Sequence, residues 1–136
     1  MFHGSCLCGS VPYTVDSEIA HAENCYCGMC RKAHGASHST NALVPTEALA
    51  INGAESLSVY RSSKNREKLF CSVCGSQLFI RRLNAPEGMV ITLGTLDEDP
   101  VVRPSRSVFV GSKAPWCTPE PGLPSFQVYP GHEPGA

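Results

Sequence analysis

Short stretches of alternating apolar and polar residues, each closed by Gly, Pro, Asn, Asp or Ser, recur along the whole chain. Val11, Tyr13 and Val15 alternate with Pro12, Thr14 and Asp16, the period of a half-buried strand, and Pro12, which has no amide to donate, predicts a sheet edge there. The same reading predicts short strands near Ile19–Cys25, Ser37–Val44, Ala48–Ile51, Leu57–Arg61, Lys68–Cys71, Gln77–Arg81, Met89–Leu93 and Ser107–Val110. No segment sustains a period of 3.6, and the one short helix expected is Gly28–His34. The predicted fold class is therefore mainly β, with irregular twisted sheets, one short helical turn and metal held at the loops.

Length and composition agree with that picture. At 136 residues the chain is one domain by size, and folding should bury roughly two thirds of its unfolded surface. The 11 Pro and 12 Gly favour many turns over long elements, so metal sites are expected to supplement a modest core. The run Pro119-Glu120-Pro121-Gly122-Leu123-Pro124 and the ending Pro130–Ala136 read as an extended tail that frays at its end, giving a domain over 1–126 and a tail over 127–136. A net charge of -1 and a pI near 6.5 supply no field that would draw nucleic acid or an anionic membrane. With no basic, apolar-cored leader at Met1–Ser5 and no long apolar run, a soluble cytoplasmic protein is expected.

The cysteines change the picture most. Eight of them fall as Cys6-Leu-Cys8, Cys25-Tyr-Cys27-Gly-Met-Cys30, Cys71-Ser-Val-Cys74 and a separate Cys117. Closely spaced thiols in a reducing compartment are metal ligands or redox groups far more often than structural disulfides. Cys71-x-x-Cys74-Gly75 is a zinc-knuckle pattern, and Cys6-x-Cys8-Gly9 repeats it with shorter spacing, so the four together offer a closed, all-thiolate site. The middle cluster differs, since one ion could collect three thiols within six residues and still want a fourth ligand.

Spacing leaves that fourth ligand open among Cys117, His34, His38, a water and a substrate thiol. A protein ligand there would make the site structural; an exchangeable one would let zinc bind an anionic sulfur or polarise an oxygen. Spacing equally allows a ribbon in which Cys27 and Cys30 pair with Cys71 and Cys74. Arg31 and Lys32 follow the last thiol directly, and cations there would help a site carrying three thiolates to accept an anionic thiol substrate; Arg106 and Lys113 would serve if folded near. His3, His21 and His132 read as surface residues, Cys117 as a bystander thiol and Trp116 as a core anchor.

The ordered set Cys6-x-Cys8-Gly9, Asn24-Cys25-x-Cys27-x-x-Cys30-Arg31-Lys32-x-His34-Gly35-Ala36 and Phe70-Cys71-x-x-Cys74-Gly75-Ser76-x-Leu78-Phe79 resembles the GFA family of glutathione-dependent formaldehyde-activating enzymes, which includes centromere protein V. The likeness continues through Leu93–Asp97 and Val110–Trp116 to Leu123-Pro124-x-Phe126. It implies twisted β-sheets on a zinc scaffold and two zinc ions per chain. It also implies that Cys6, Cys8, Cys71 and Cys74 hold a structural zinc, while Cys25, Cys27 and Cys30 hold a catalytic zinc with an open place. Tyr26 stands where relatives often carry His, and His38 where they often carry an aromatic residue.

The activity implied is that of a carbon–sulfur lyase acting on a small-molecule thiol or thiol–aldehyde adduct, forming S-hydroxymethylglutathione from glutathione and formaldehyde. Two other classes of function fit the same cysteines. A non-catalytic zinc-stabilised binding or scaffold domain requires a closed middle site, and a redox or metal-sensing module requires thiols that release metal under mild oxidant.

Overall fold

A computed structural model describes residues 1–131. In chain order its elements are β1 (Phe2–Ser5), β2 (Pro12–Val15), β3 (Ala22–Cys25), α1 (Gly28–His34), β4 (Ser39–Pro45), β5 (Leu49–Ile51), β6 (Leu57–Ser63), β7 (Arg66–Cys71), β8 (Gln77–Arg82), β9 (Gly88–Thr92) and β10 (Ser107–Val108). Single 3-10 turns at Thr46–Ala48, Ala54–Ser56, Leu93–Thr95 and Val110–Ser112 link or end them. The mainly β class is as expected, and no helix among the described residues is long and apolar enough to cross a membrane.

The strands form two sheets. The smaller runs β1-β2-β5 and the larger runs β10-β3-β4-β9-β8-β7-β6. All ladders are antiparallel except β10 on β3, where Ser107 and Val108 run beside Asn24 and Cys25. One main core fills the space that Val11, Tyr13 and Val15 share with Ala42, Val44, Leu69, Leu78, Phe79 and Ile91, and the Tyr13 and Phe79 rings meet edge to face at 5.0 Å. Cys6 and Cys71 belong to this core. A second, smaller cluster gathers Cys25, Cys30 and Val108 with Cys27, Phe109 and Phe126.

β4 serves both clusters because successive side chains point to opposite faces. Ala42 and Val44 are buried in the main core, whereas Ser39, on the other face, is buried opposite Cys25. β7 is buried on both faces at Lys68 and Leu69, which alternation alone would not produce.

Some expectations need correcting. β2 lies between β1 and β5 and is not an edge; Pro12 is tolerated because it is the first residue of the strand, where its carbonyl accepts from the Asn52 amide at 2.9 Å. β1 was unforeseen, since Phe2-His3-Gly4-Ser5 carries a single large apolar residue and is held by pairing with β2. Gly4 is required there: a Cβ would press on the Tyr13 ring and lie 2.7 Å from the Thr95 carbonyl oxygen. Ile19 is buried but outside any strand, and Val110 belongs to a 3-10 turn. Backbone bonds tie Pro124, Phe126, Gln127 and Val128 to the segment Ser107–Gly111, and of the tail expected over 127–136 the residues 132–136, with His132, lie outside the described residues.

Candidate metal centres

All eight cysteines are free thiols, and seven of them form two groups. In the first, the Sγ atoms of Cys6, Cys8, Cys71 and Cys74 lie within 4.8 Å of one another. Cys6 and Cys8 are 3.7 Å apart and Cys8 and Cys71 are 3.8 Å apart. A tetrahedral ion with sulfur at ~2.3 Å needs sulfur–sulfur edges of about 3.8 Å, so this donor set fits zinc in both softness and size.

The two knuckles are built alike. After each thiol pair comes a glycine in the left-handed region, Gly9 at φ 82° and Gly75 at φ 81°, whose amide returns to the carbonyl of Cys6 or Cys71. The Val11 and Val73 amides donate to the sulfurs of Cys6 and Cys71 at 3.3 and 3.4 Å. A serine follows each glycine: Ser10 Oγ lies 3.2 Å from Cys8 Sγ and Ser76 Oγ 3.3 Å from Cys74 Sγ. These hydroxyls lead the contacts that lower the Cys8 thiol and bring Cys74 down to about 5, which favours thiolates before any cation arrives. The repeated Cys-Gly-Ser was visible in the sequence as the signal for both serines.

The second group holds Cys25, Cys27 and Cys30, again within 4.8 Å of one another. Three elements position it. Cys25 ends β3, fixed between Ser39 of β4 and Val108 of β10. Cys27 is the N-cap of α1 and its sulfur accepts from the Cys30 amide at 3.2 Å. Cys30 lies one turn later, 6% exposed, with the Ser39 hydroxyl bonded to its sulfur. Gly35, at φ 59°, closes the helix, its amide returning to the Arg31 carbonyl. Without a cation the three thiols share charge unequally: Cys27 is lowered because the Cys25 and Cys30 thiols donate to it, and Cys25 is raised chiefly by its bond to Cys27, then by Cys30 and burial. One thiolate is thus stable unaided, and a full set of three requires a metal.

Among the described residues no fourth His, Cys, Asp or Glu joins this group. His38 is not in the group: its ring packs tilted on the buried Tyr26 at 4.8 Å and its Nδ1 bonds Ser37 at 2.8 Å. Burial, then the charge of Lys68, pushes His34 below the ordinary histidine range. Cys117 lies in neither group. The ribbon that would have paired Cys27 and Cys30 with Cys71 and Cys74 is not formed.

Of the expected cations, Arg31 keeps its Nε buried without a hydrogen-bond partner among the described residues, and Lys32 is exposed on α1. Arg106 is committed elsewhere, to Glu23 at 2.8 Å and over the Tyr129 ring at 5.1 Å. Lys113 is exposed. Trp116 is 72% exposed and not the core anchor expected, because the Pro115–Cys117 turn projects it outward while Ala114 takes the buried place. Sequence reading missed Ser39, whose role depends on the pairing of β3 with β4.

Comparison with known proteins points the same way. The family model described as "Glutathione-dependent formaldehyde-activating enzyme" matches residues 1–112. A Halomonas elongata protein named "Putative glutathione-dependent formaldehyde-activating enzyme" is 32% identical over 124 residues, 85% of this chain and 79% of that one. A Phaeosphaeria nodorum protein of the same name is 35% identical over 80 residues, 58% of this chain and 42% of that one. A crystal structure of a Rhodobacter sphaeroides protein, 27% identical, superposes with a TM-score of 0.61 over 71% of this chain and 89% of its own. With both thiol groups inside the matched span, the chain belongs to the glutathione-dependent formaldehyde-activating enzyme family.

Proposed function

We propose that this chain is a zinc enzyme of carbon–sulfur chemistry that joins a small thiol to formaldehyde and, in reverse, releases it, with glutathione as the thiol and S-hydroxymethylglutathione as the adduct. The observation that carries the reading is the three-thiol group at Cys25, Cys27 and Cys30, which no fourth protein ligand completes among the described residues. Cys6, Cys8, Cys71 and Cys74 hold a structural zinc and Cys25, Cys27 and Cys30 a second one. Bound at the second group, zinc supplies a Lewis-acid position that favours a thiolate or a polarised carbonyl oxygen.

The chain's own residues prepare that position. The β3–β4–β10 register fixes Cys25, the α1 cap orients Cys27, and the Ser39 hydroxyl and the Cys30 amide stabilise negative sulfur. Arg31 and Lys32 offset the charge of three thiolates and favour an anionic thiol. In the reaction the sulfur lone pair forms the carbon–sulfur bond, the carbonyl π pair moves to oxygen, and the thiol proton ends on that oxygen. Nothing is oxidised or reduced, and the reverse step is the lyase reaction. Such chemistry draws on reduced thiols, which suits a cytoplasmic protein whose cysteines are all free.

Metal stoichiometry combined with cobalt substitution tests the reading. Two metals per chain are expected, with the thiolate-to-cobalt bands of one site shifting as glutathione is added. Two metals with no response to any small thiol would instead favour a scaffold and sink the enzyme.

A further inference from the structure

A groove of about 470 Å³ opens beside the thiol-bearing helix, within the size range of small-molecule clefts. Met29 and Lys32 of α1 form its wall, and Tyr60, Lys68, Phe70 and Gln77 of β6, β7 and β8 form its floor. The register accounts for the floor: Tyr60 stands opposite Lys68, Gln77 opposite Phe70, and Lys68 and Phe70, two apart on β7, share one face.

The charges in this groove do not balance. Among the described residues Lys68, only 9% exposed, makes neither a hydrogen bond nor an ion pair, and Lys32 is likewise unpaired. Arg81, Arg103 and Arg106 by contrast each hold a carboxylate at 2.8 Å. Among the described residues no Asp or Glu lines the groove. An ammonium that opens into a groove carrying no carboxylate can be paired by an anionic ligand, and the largely buried Lys68 stem holds it in place for one.

We propose that this groove binds the carboxylate of a small anionic thiol substrate, with Lys68 as its anchor, Lys32 as a second cation, and Tyr60 and Phe70 packing its apolar stem. The assignment of a thiol substrate rests on the function proposed above; the anion site itself rests on the lysines. Met29 and Lys32 lie within two residues of Cys30 on α1, so groove and thiol group occupy adjacent faces of one helical turn, ~5.4 Å in rise. A thiol carrying a carboxylate several bonds from its sulfur can span the two, and the tripeptide glutathione has that form.

Calorimetric titration of the zinc-loaded protein with S-methylglutathione isolates the groove, because this ligand keeps both carboxylates and has no thiol to ionise. Binding is expected in the wild type, weakened about tenfold in Lys68→Met, restored in Lys68→Arg and weakened less in Lys32→Gln. Melting temperature and metal content identify any variant that fails to fold, and the exposed Lys32 provides a second test that does not disturb the sheet. Absence of S-methylglutathione binding, or binding indifferent to both lysines, overturns the groove. If the groove fails while glutathione still shifts the cobalt bands, the thiol reading stands alone. Lysine-dependent binding beside a glutathione-silent cobalt spectrum would keep the groove and remove the thiol reading.

Discussion

Tyr13 is 1% exposed, its ring edge-on to Phe79 and its hydroxyl 2.7 Å from the Thr95 hydroxyl. Burial pushes its phenol from 10 up to about 12. A raised folded value means that the neutral phenol stabilises the fold fully below pH ~10 and that this contribution is lost as pH rises towards 12. Two pH units correspond to an effect on the order of 2–3 kcal/mol. Tyr13→Phe should therefore cost about 1 kcal/mol at neutral pH, through the lost Thr95 bond, yet overtake the wild type near the alkaline end. Urea melts of both proteins across that range check it, and parallel loss in the two would refute it. Tyr13 was legible in the alternation of residues 11–16, but Lys68 was not. It becomes a groove cation on a largely buried stem only because the fold sets α1, with Met29 and Lys32, beside the same groove.

At the scale of elements, each thiol group depends on its supports in a different way. The four-thiol group joins the loop after β1 to the loop after β7, segments some 65 residues apart, and two of its members sit in the main core. The three-thiol group lies within one strand end and one seven-residue helix, too short to persist without tertiary support. Cys74→Ser should thus impair folding, seen as loss of soluble protein or a melting transition lowered by tens of degrees, because a closed metal site contributes folding free energy directly. Cys27→Ser should leave a folded protein with one metal in place of two, by metal analysis and far-ultraviolet circular dichroism. Equal unfolding in both variants would mean that the division between the two groups is wrong. The helix was legible to the residue at Gly28–His34 because thiol spacing, cap and closing glycine all lie within one short stretch. β1 was not, because pairing with β2 rather than its own composition makes it a strand.

For the whole molecule the prediction concerns the order in which metals leave. A chelator should strip the three-thiol site first, with little change in melting temperature, and the four-thiolate site second, with cooperative loss of the fold. Metal analysis alongside differential scanning calorimetry distinguishes this from simultaneous loss. The chain by itself determined the mainly β class, the short helix and the set of seven closely spaced cysteines, because turn residues, alternation and thiol spacing are local properties written in order; their division into four and three came from the fold, since spacing alone also allowed the ribbon. Tertiary structure decided what those local signals could not: it placed β2 inside its sheet, turned Trp116 outward and packed His38 on Tyr26. It also left the group at Cys25, Cys27 and Cys30 without a fourth protein ligand among the described residues. The physical reason is that coordination and charge pairing depend on distances across strands and layers, and a sequence fixes those distances only through the packing of the folded chain.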